Sequence, residues 1–152
     1  FSKTLSASVR CGYIAASPDW IDGLTDLKIA TGFSSGNLAP ELVLSILKDG
    51  TYRKHMDALR TRLATAMTRM ASRLQSLGIT PVSTPDAGIF LWCKLPDGMN
   101  AATVARNALA DGVVLAPGNV FSISQTADDL MRFNVAQCDD PKLFEILKRA
   151  MG

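Results

Sequence analysis

The sequence predicts an α+β fold, a small mixed or antiparallel sheet with helices packed on one face, one of those helices being long. Three observations carry this expectation. Tyr52, Met56, Leu59, Leu63, Met67, Met70, Leu74 and Leu77 recur at steps of three and four until Gly78 interrupts them, which is the period of a helix with a single apolar stripe. Short apolar runs bounded by Pro, Gly and Asp gather in the second half of the chain, as half-buried strands do. Helical patterns come first and mixed patterns follow, without repeats or low-complexity linkers.

Taken in order, Cys11 to Ala16 reads as a short buried strand. Ser17-Pro18-Asp19 is a helix start, with a capping serine, a proline in the first turn and an acid at the positive end. That helix is expected to run from about Pro18 to Thr31. Gly32 to Asn37 is a Gly/Ser loop, and Leu38 to Lys48 is a second helix stopped by Asp49-Gly50. After the long third helix, Ile79 to Val82 and Gly88 to Lys94 read as strands around the turn Thr84-Pro85-Asp86-Ala87. Asn100 caps a helix through about Ala110, and Gly112 stops it. Val113-Val114-Leu115 then starts a strand entering the turn Ala116-Pro117-Gly118-Asn119, and Met131 to Ala136 is another strand. Asp140-Pro141 caps a final amphipathic helix carrying Leu143, Phe144, Ile146, Leu147 and Met151.

Composition narrows the function. The 152 residues are 47% hydrophobic and 20% charged, a globular balance that suits one ordinary domain. Sixteen basic and 14 acidic residues are scattered along the chain, so no basic stripe implies a nucleic-acid partner. Cys11, Cys93 and Cys138 form no C-x-x-C pair, and neither a disulfide framework nor a metal site is expected. No apolar run approaches the roughly 20 residues of a membrane span. A cytoplasmic protein without a membrane partner is the expectation.

Two places concentrate polar chemistry. The opening, Phe1-Ser2-Lys3-Thr4-Leu5-Ser6-Ala7-Ser8-Val9-Arg10-Cys11-Gly12-Tyr13, couples Ser-Lys to a later arginine and then to Gly-aromatic. Near the end, Arg132 stands among Met131, Phe133 and Val135. In a sheet, such an arginine either meets a carboxylate with both arms of its fork or faces solvent beside Asn134.

The opening segment resembles the cofactor-lysine motif of fold-type I pyridoxal-phosphate (PLP) enzymes, particularly class I/II aminotransferases. Further segments match in order. Asp49-Gly50-Thr51-Tyr52-Arg53-Lys54-His55 resembles the family's entry into a long helix. Pro85-Asp86-Ala87-Gly88-Ile89-Phe90-Leu91-Trp92 through Pro96 resembles the strand that opens its small domain, with Ala87 in place of the first of two glycines. Gly112 to Phe121 resembles its Gly-Val-x-x-x-Pro-Gly-x-x-Phe turn, and Met131 to Ala136 its Arg-Leu-x-Phe strand.

The resemblance implies that Lys3 is the catalytic amine that condenses with the aldehyde of PLP, helped by burial and a nearby cation. It further implies that Ser2 and Arg10 grip the cofactor phosphate and that Arg132 binds the substrate α-carboxylate. Phe90 is either a substrate-lining ring or a core aromatic, and His55, without a carboxylate partner in view, is not placed in the site. The organisation implied is residues 1–50 as the end of a large cofactor-binding domain, 51–78 as a connecting helix and 79–152 as a C-terminal small domain.

The activity implied is amino transfer between an amino acid and a 2-oxo acid, in a homodimer when full length. The family's Asp at the pyridine nitrogen, its stacked aromatic ring, its Asn and Tyr at the 3-hydroxyl and a second phosphate serine lie upstream of the motif. This stretch is therefore expected to be the C-terminal part of a longer protein, binding PLP poorly and inactive alone. Two other readings compete, the first of them sharing every motif. One is the effector-sensing, aminotransferase-like body of a GntR/MocR-type transcriptional regulator, which would touch nucleic acid only through an upstream DNA-binding domain. The other is a lyase or decarboxylase on the same fold.

Overall fold

The computed structural model describes residues 1–33, 36–138 and 140–152. Part of the expected loop from Gly32 to Asn37 therefore lies outside the described residues. The chain divides into two compact units, Phe1–Ala58 and Leu59–Gly152.

The first unit holds a 3-10 turn at Ala7–Val9, helix α1 (Pro18–Gly32), helix α2 (Leu38–Lys48) and the start of helix α3 (Thr51–Ser76). Pro18 stands in the first turn of α1 with Asp19 beside it, where a missing N–H is harmless and an acid meets the positive helix end. The Asp49 carboxylate accepts a hydrogen bond from the Thr51 backbone N–H at 2.8 Å, at the entry to α3. That contact holds its pKa below the ordinary 3.8.

The expected strand at Cys11 to Ala16 is a correction, because this segment is irregular and Gly12 to Ala16 are exposed. A strand needs a ladder partner for its backbone groups, and among the described residues the first unit contains no strand. Its one fully buried apolar side chain among those described is Val43, while Tyr13, Trp20, Leu27, Phe33 and Leu38 are all more than half exposed.

The second unit is an antiparallel sheet covered by helices. Its strands are β1 (Thr80–Pro81), β2 (Phe90–Lys94), β3 (Ala116–Pro117) and β4 (Leu130–Asn134), in the order β1-β2-β4-β3. The central pair runs Phe90↔Asn134, Trp92↔Arg132 and Lys94↔Leu130. Because side chains alternate across a strand, this register sends Leu91, Cys93, Met131 and Phe133 to one face, all buried. There they meet Met67, Met70 and Leu74 of α3, Val104 and Ala108 of helix α4 (Ala101–Ala110), and Ile146 and Leu147 of helix α5 (Pro141–Met151). The other face carries Phe90, Trp92, Lys94, Leu130, Arg132 and Asn134, each at least partly exposed.

Two of the three expected caps are made, at Asn100 and Asp140, whereas Ser17 makes no side-chain cap hydrogen bond to α1. The Asn100 side chain accepts from the Thr103 N–H at 3.1 Å, and the Asp140 side chain accepts from the Lys142 N–H at 2.9 Å. α3 and α4 each end on a glycine of positive φ, Gly78 at 77° and Gly112 at 80°. In both, the following N–H reaches back to a carbonyl in the last turn, Ile79 to Leu74 and Val113 to Ala108, a closure that requires the left-handed residue.

This closure explains a second correction. Val113 to Leu115 is not a strand; Val113 is used in wrapping the helix end, and pairing with β4 begins only at Ala116. Among the described residues, no helix is long and apolar enough to cross a membrane.

Candidate functional site

In the first unit, the chain from Ser2 to Leu5 forms a turn, with the Leu5 N–H donating to the Phe1 carbonyl at 2.9 Å. The 3-10 turn that follows is capped by Ser6, whose hydroxyl accepts from the Ser8 N–H at 3.2 Å. It leaves Arg10 in the left-handed region, at φ 46°. This sharp reversal brings the arginine back to the serine, so that Arg10 Nη1 donates to Ser2 Oγ at 3.2 Å. A hydroxyl and a guanidinium thus converge beside the residue that carries the amine. Lys3 itself is exposed, and the burial expected to favour its neutral form is not supplied by the residues of this unit.

His55 has a part that the sequence reasoning missed. Its Nε2 lies 2.6 Å from the Thr4 carbonyl oxygen, and the hydroxyl of Tyr52 donates to Thr4 Oγ1 at 3.2 Å. With a carbonyl as acceptor, Nε2 carries the proton. Tyr52 also meets the Phe1 ring edge-on at 5.5 Å. The first turn of α3 therefore clasps the residue next to Lys3. The only available signal was the i, i+3 spacing of Tyr52 and His55 on one helix face, which names no acceptor.

In the second unit, Arg132 sits on the open face of the sheet, between Trp92 on β2 and Ala116 on β3. Its guanidinium carbon is 4.1 Å from the centroid of the Phe90 ring and 4.1 Å from that of Phe121. Phe90 is thus an open-face ring stacked on Arg132, at 39% exposure, and not a core aromatic. Trp92 meets Phe121 edge-on at 5.9 Å.

The other cation on this face, Lys94, donates to Asp97 at 3.1 Å and has Asp129 at 3.8 Å. These partners, the Asp97 hydrogen bond first, raise its pKa. Arg132 differs: among the described residues, neither a hydrogen bond nor an ion pair engages its guanidinium. A cleft of about 600 Å³ opens beside it, lined by Phe90, Arg132, Asn134, Val114, Gln137 and Lys142 among others. No group of His, Cys, Asp and Glu among the described residues has metal-binding geometry.

The model of the family described as aminotransferase class I and II matches residues 1–149. The chain is 26% identical over 151 residues to aromatic-amino-acid aminotransferase 1 of Thermococcus litoralis, covering 98% of this chain and 36% of that protein. It is 33% identical over 124 residues to the HTH-type transcriptional regulator NorG of Staphylococcus aureus, covering 80% of this chain and 28% of the regulator. In structure it is similar to LysN, the alpha-aminoadipate aminotransferase of Thermus thermophilus, complexed with N-(5'-phosphopyridoxyl)-L-leucine. The TM-score is 0.86 at 26% identity, over 99% of this chain and 40% of that one. The chain thus spans well under half the length of these relatives. With the family model running almost from end to end and a fold matching that of a solved aminotransferase, the chain belongs to the aminotransferase class I and II family.

Proposed function

We propose that this chain forms the lysine-bearing and carboxylate-binding part of a PLP-dependent aminotransferase, transferring an amino group between an amino acid and a 2-oxo acid. The observation that carries the reading is the convergence of Arg10 on Ser2, at 3.2 Å, beside Lys3. The donor set suits the group. A permanent, planar cation and a hydroxyl together can hold a phosphate dianion by charge-assisted hydrogen bonds, and the amine of the adjacent residue is the kind of group that condenses with an aldehyde.

Ser2 and Arg10 would hold the phosphate end. Bound there, the cofactor supplies an aldehyde for Lys3 and a ring that takes up electrons from the substrate α-carbon. Lys3 Nζ, freed when substrate is bound, accepts the α-proton and returns it. Arg132 binds the α-carboxylate through its fork and so fixes which bond at the α-carbon faces the reaction. Phe90 lines the same place. In the domain reading, residues 1–50 close a cofactor-binding domain, 51–78 connect and 79–152 form the small domain; the continuous helix Thr51–Ser76 supports the middle assignment. The homodimer is carried over from the family resemblance and is checked by sedimentation.

The relationship to NorG supports a second reading, in which the same residues bind an effector within a regulator. One experiment on the full-length protein separates them. It is incubated with PLP, reduced with borohydride and digested. A phosphopyridoxyl mass on Lys3, absent in Lys3→Ala, is expected in both readings, and its absence would sink both. Turnover of an amino acid with a 2-oxo acid then selects the enzyme, whereas binding without turnover selects the regulator.

A further inference from the structure

We propose that Phe121 is a positioning residue for Arg132, holding its guanidinium against Phe90 so that its N–H edges face an incoming carboxylate. The inference rests on the reading of Arg132 as the carboxylate anchor and adds the residue that aims it.

The register places Phe90 diagonally across from Arg132 on one sheet face, since Trp92 is its direct partner. That separation is within reach of an aromatic and a long side chain. Phe121 arrives from a different element, the 3-10 turn Gly118–Phe121 that follows β3. Both rings lie 4.1 Å from the guanidinium carbon, well inside the roughly 6 Å over which a ring attracts a cation. A guanidinium stacked in this way offers an anion its in-plane donors, the geometry that a carboxylate meets with two parallel hydrogen bonds.

The turn that delivers Phe121 is itself fixed. Gly118 is packed so closely that a Cβ there would lie 2.8 Å from the Leu130 carbonyl oxygen. The Asn119 side chain accepts from the Ala127 N–H at 2.9 Å, and the Gln125 amide donates to the Asn119 and Ser122 carbonyls at 3.0 Å each. The edge-on contact with Trp92 orients the ring from the β2 side. Yet Phe121 is 45% exposed, too open for a residue whose sole work is to fill a core.

The test uses the full-length protein with PLP and pyruvate as the carboxylate probe. The variants are Phe121→Leu, Phe121→Tyr and Arg132→Ala. Pyruvate affinity is read in every variant by isothermal titration calorimetry, or from KM where turnover is present, and the Arg132 Nε–Hε resonance is followed in selectively labelled protein wherever Arg132 is kept. Phe121→Leu is expected to weaken pyruvate about tenfold, as loss of one stacked ring implies, with the loss on KM more than on kcat. Phe121→Tyr is expected to restore affinity, and the Nε–Hε resonance is expected to move downfield only in the leucine variant as the ring current is lost. If Arg132→Ala abolishes pyruvate binding while Phe121→Leu stays within twofold and leaves the resonance in place, the positioning role is overturned and the anchor stands. If Arg132→Ala leaves affinity unchanged, the anchor falls and the positioning role falls with it.

Discussion

Replacing Gly118 with alanine is a demanding test of how the second unit holds its open face. A Cβ at this position would run into the Ala127 carbonyl oxygen and would also stand 2.8 Å from the Leu130 oxygen and 2.9 Å from Leu130 Cβ. Ordinary contacts to a Cβ begin near 3.4 Å, so several atoms must each retreat by half an ångström or more. Two of the three are backbone atoms, and Leu130 is the first residue of β4, which no rotamer change can move. Overpacking of a well-filled site costs about 1–3 kcal/mol, and with backbone as the obstacle the upper end, about 3 kcal/mol, is expected. For a unit of this size that corresponds to a fall in melting temperature of roughly 12–24 °C. Urea unfolding followed by circular dichroism measures it, with the midpoint shifted and the slope unchanged. A loss below about 0.5 kcal/mol, the level of an ordinary surface change, would refute the close packing of the turn on β4 and with it the fixed approach of Phe121.

His55→Leu, which removes the donor to the Thr4 carbonyl, is expected to weaken PLP retention by the full-length protein severalfold, as loss of one positioning hydrogen bond implies. His55→Gln, which keeps an N–H, should recover part of it; equal retention in all three proteins, measured by dialysis and absorbance, would contradict the clasp. Burial pushes the Cys93 thiol up from 9.0 to about 12, so it should resist iodoacetamide at pH 8 in the native protein and react on unfolding. Because the folded value is the raised one, its contribution to stability is intact below about pH 9 and is lost as pH climbs towards 12. Rapid native alkylation of Cys93, read by mass spectrometry, would count against its burial.

Several features were legible in the residues alone because they are local. Helix α2 from Leu38 to Lys48, the caps at Asn100 and Asp140, and the stops at Gly78 and Gly112 depend on side chains and backbone within one or two turns. The apolar stripe of α3 declares its own period. Ser2 and Arg10, which the resemblance singled out, also meet at short range, eight residues apart, while the family assignment rests on a match running from residue 1 to 149.

What folding alone decided involves partners far apart in the chain or a choice of register. No local rule says that β3 is two residues long, or that it lies beyond β4 in the order β1-β2-β4-β3. Cys11 to Ala16 has the composition of a strand, yet pairing requires a neighbour to share hydrogen bonds, and sequence does not count neighbours. His55 finds the Thr4 carbonyl across 51 residues, an acceptor that every residue possesses and that no pattern marks. Arg132 was visible as a cation in a strand with two possible destinies. Stacking of Phe90 and Phe121 upon it depends on a diagonal across one ladder and on a turn from another element, and those distances exist only once backbone hydrogen bonds have fixed which residues stand side by side.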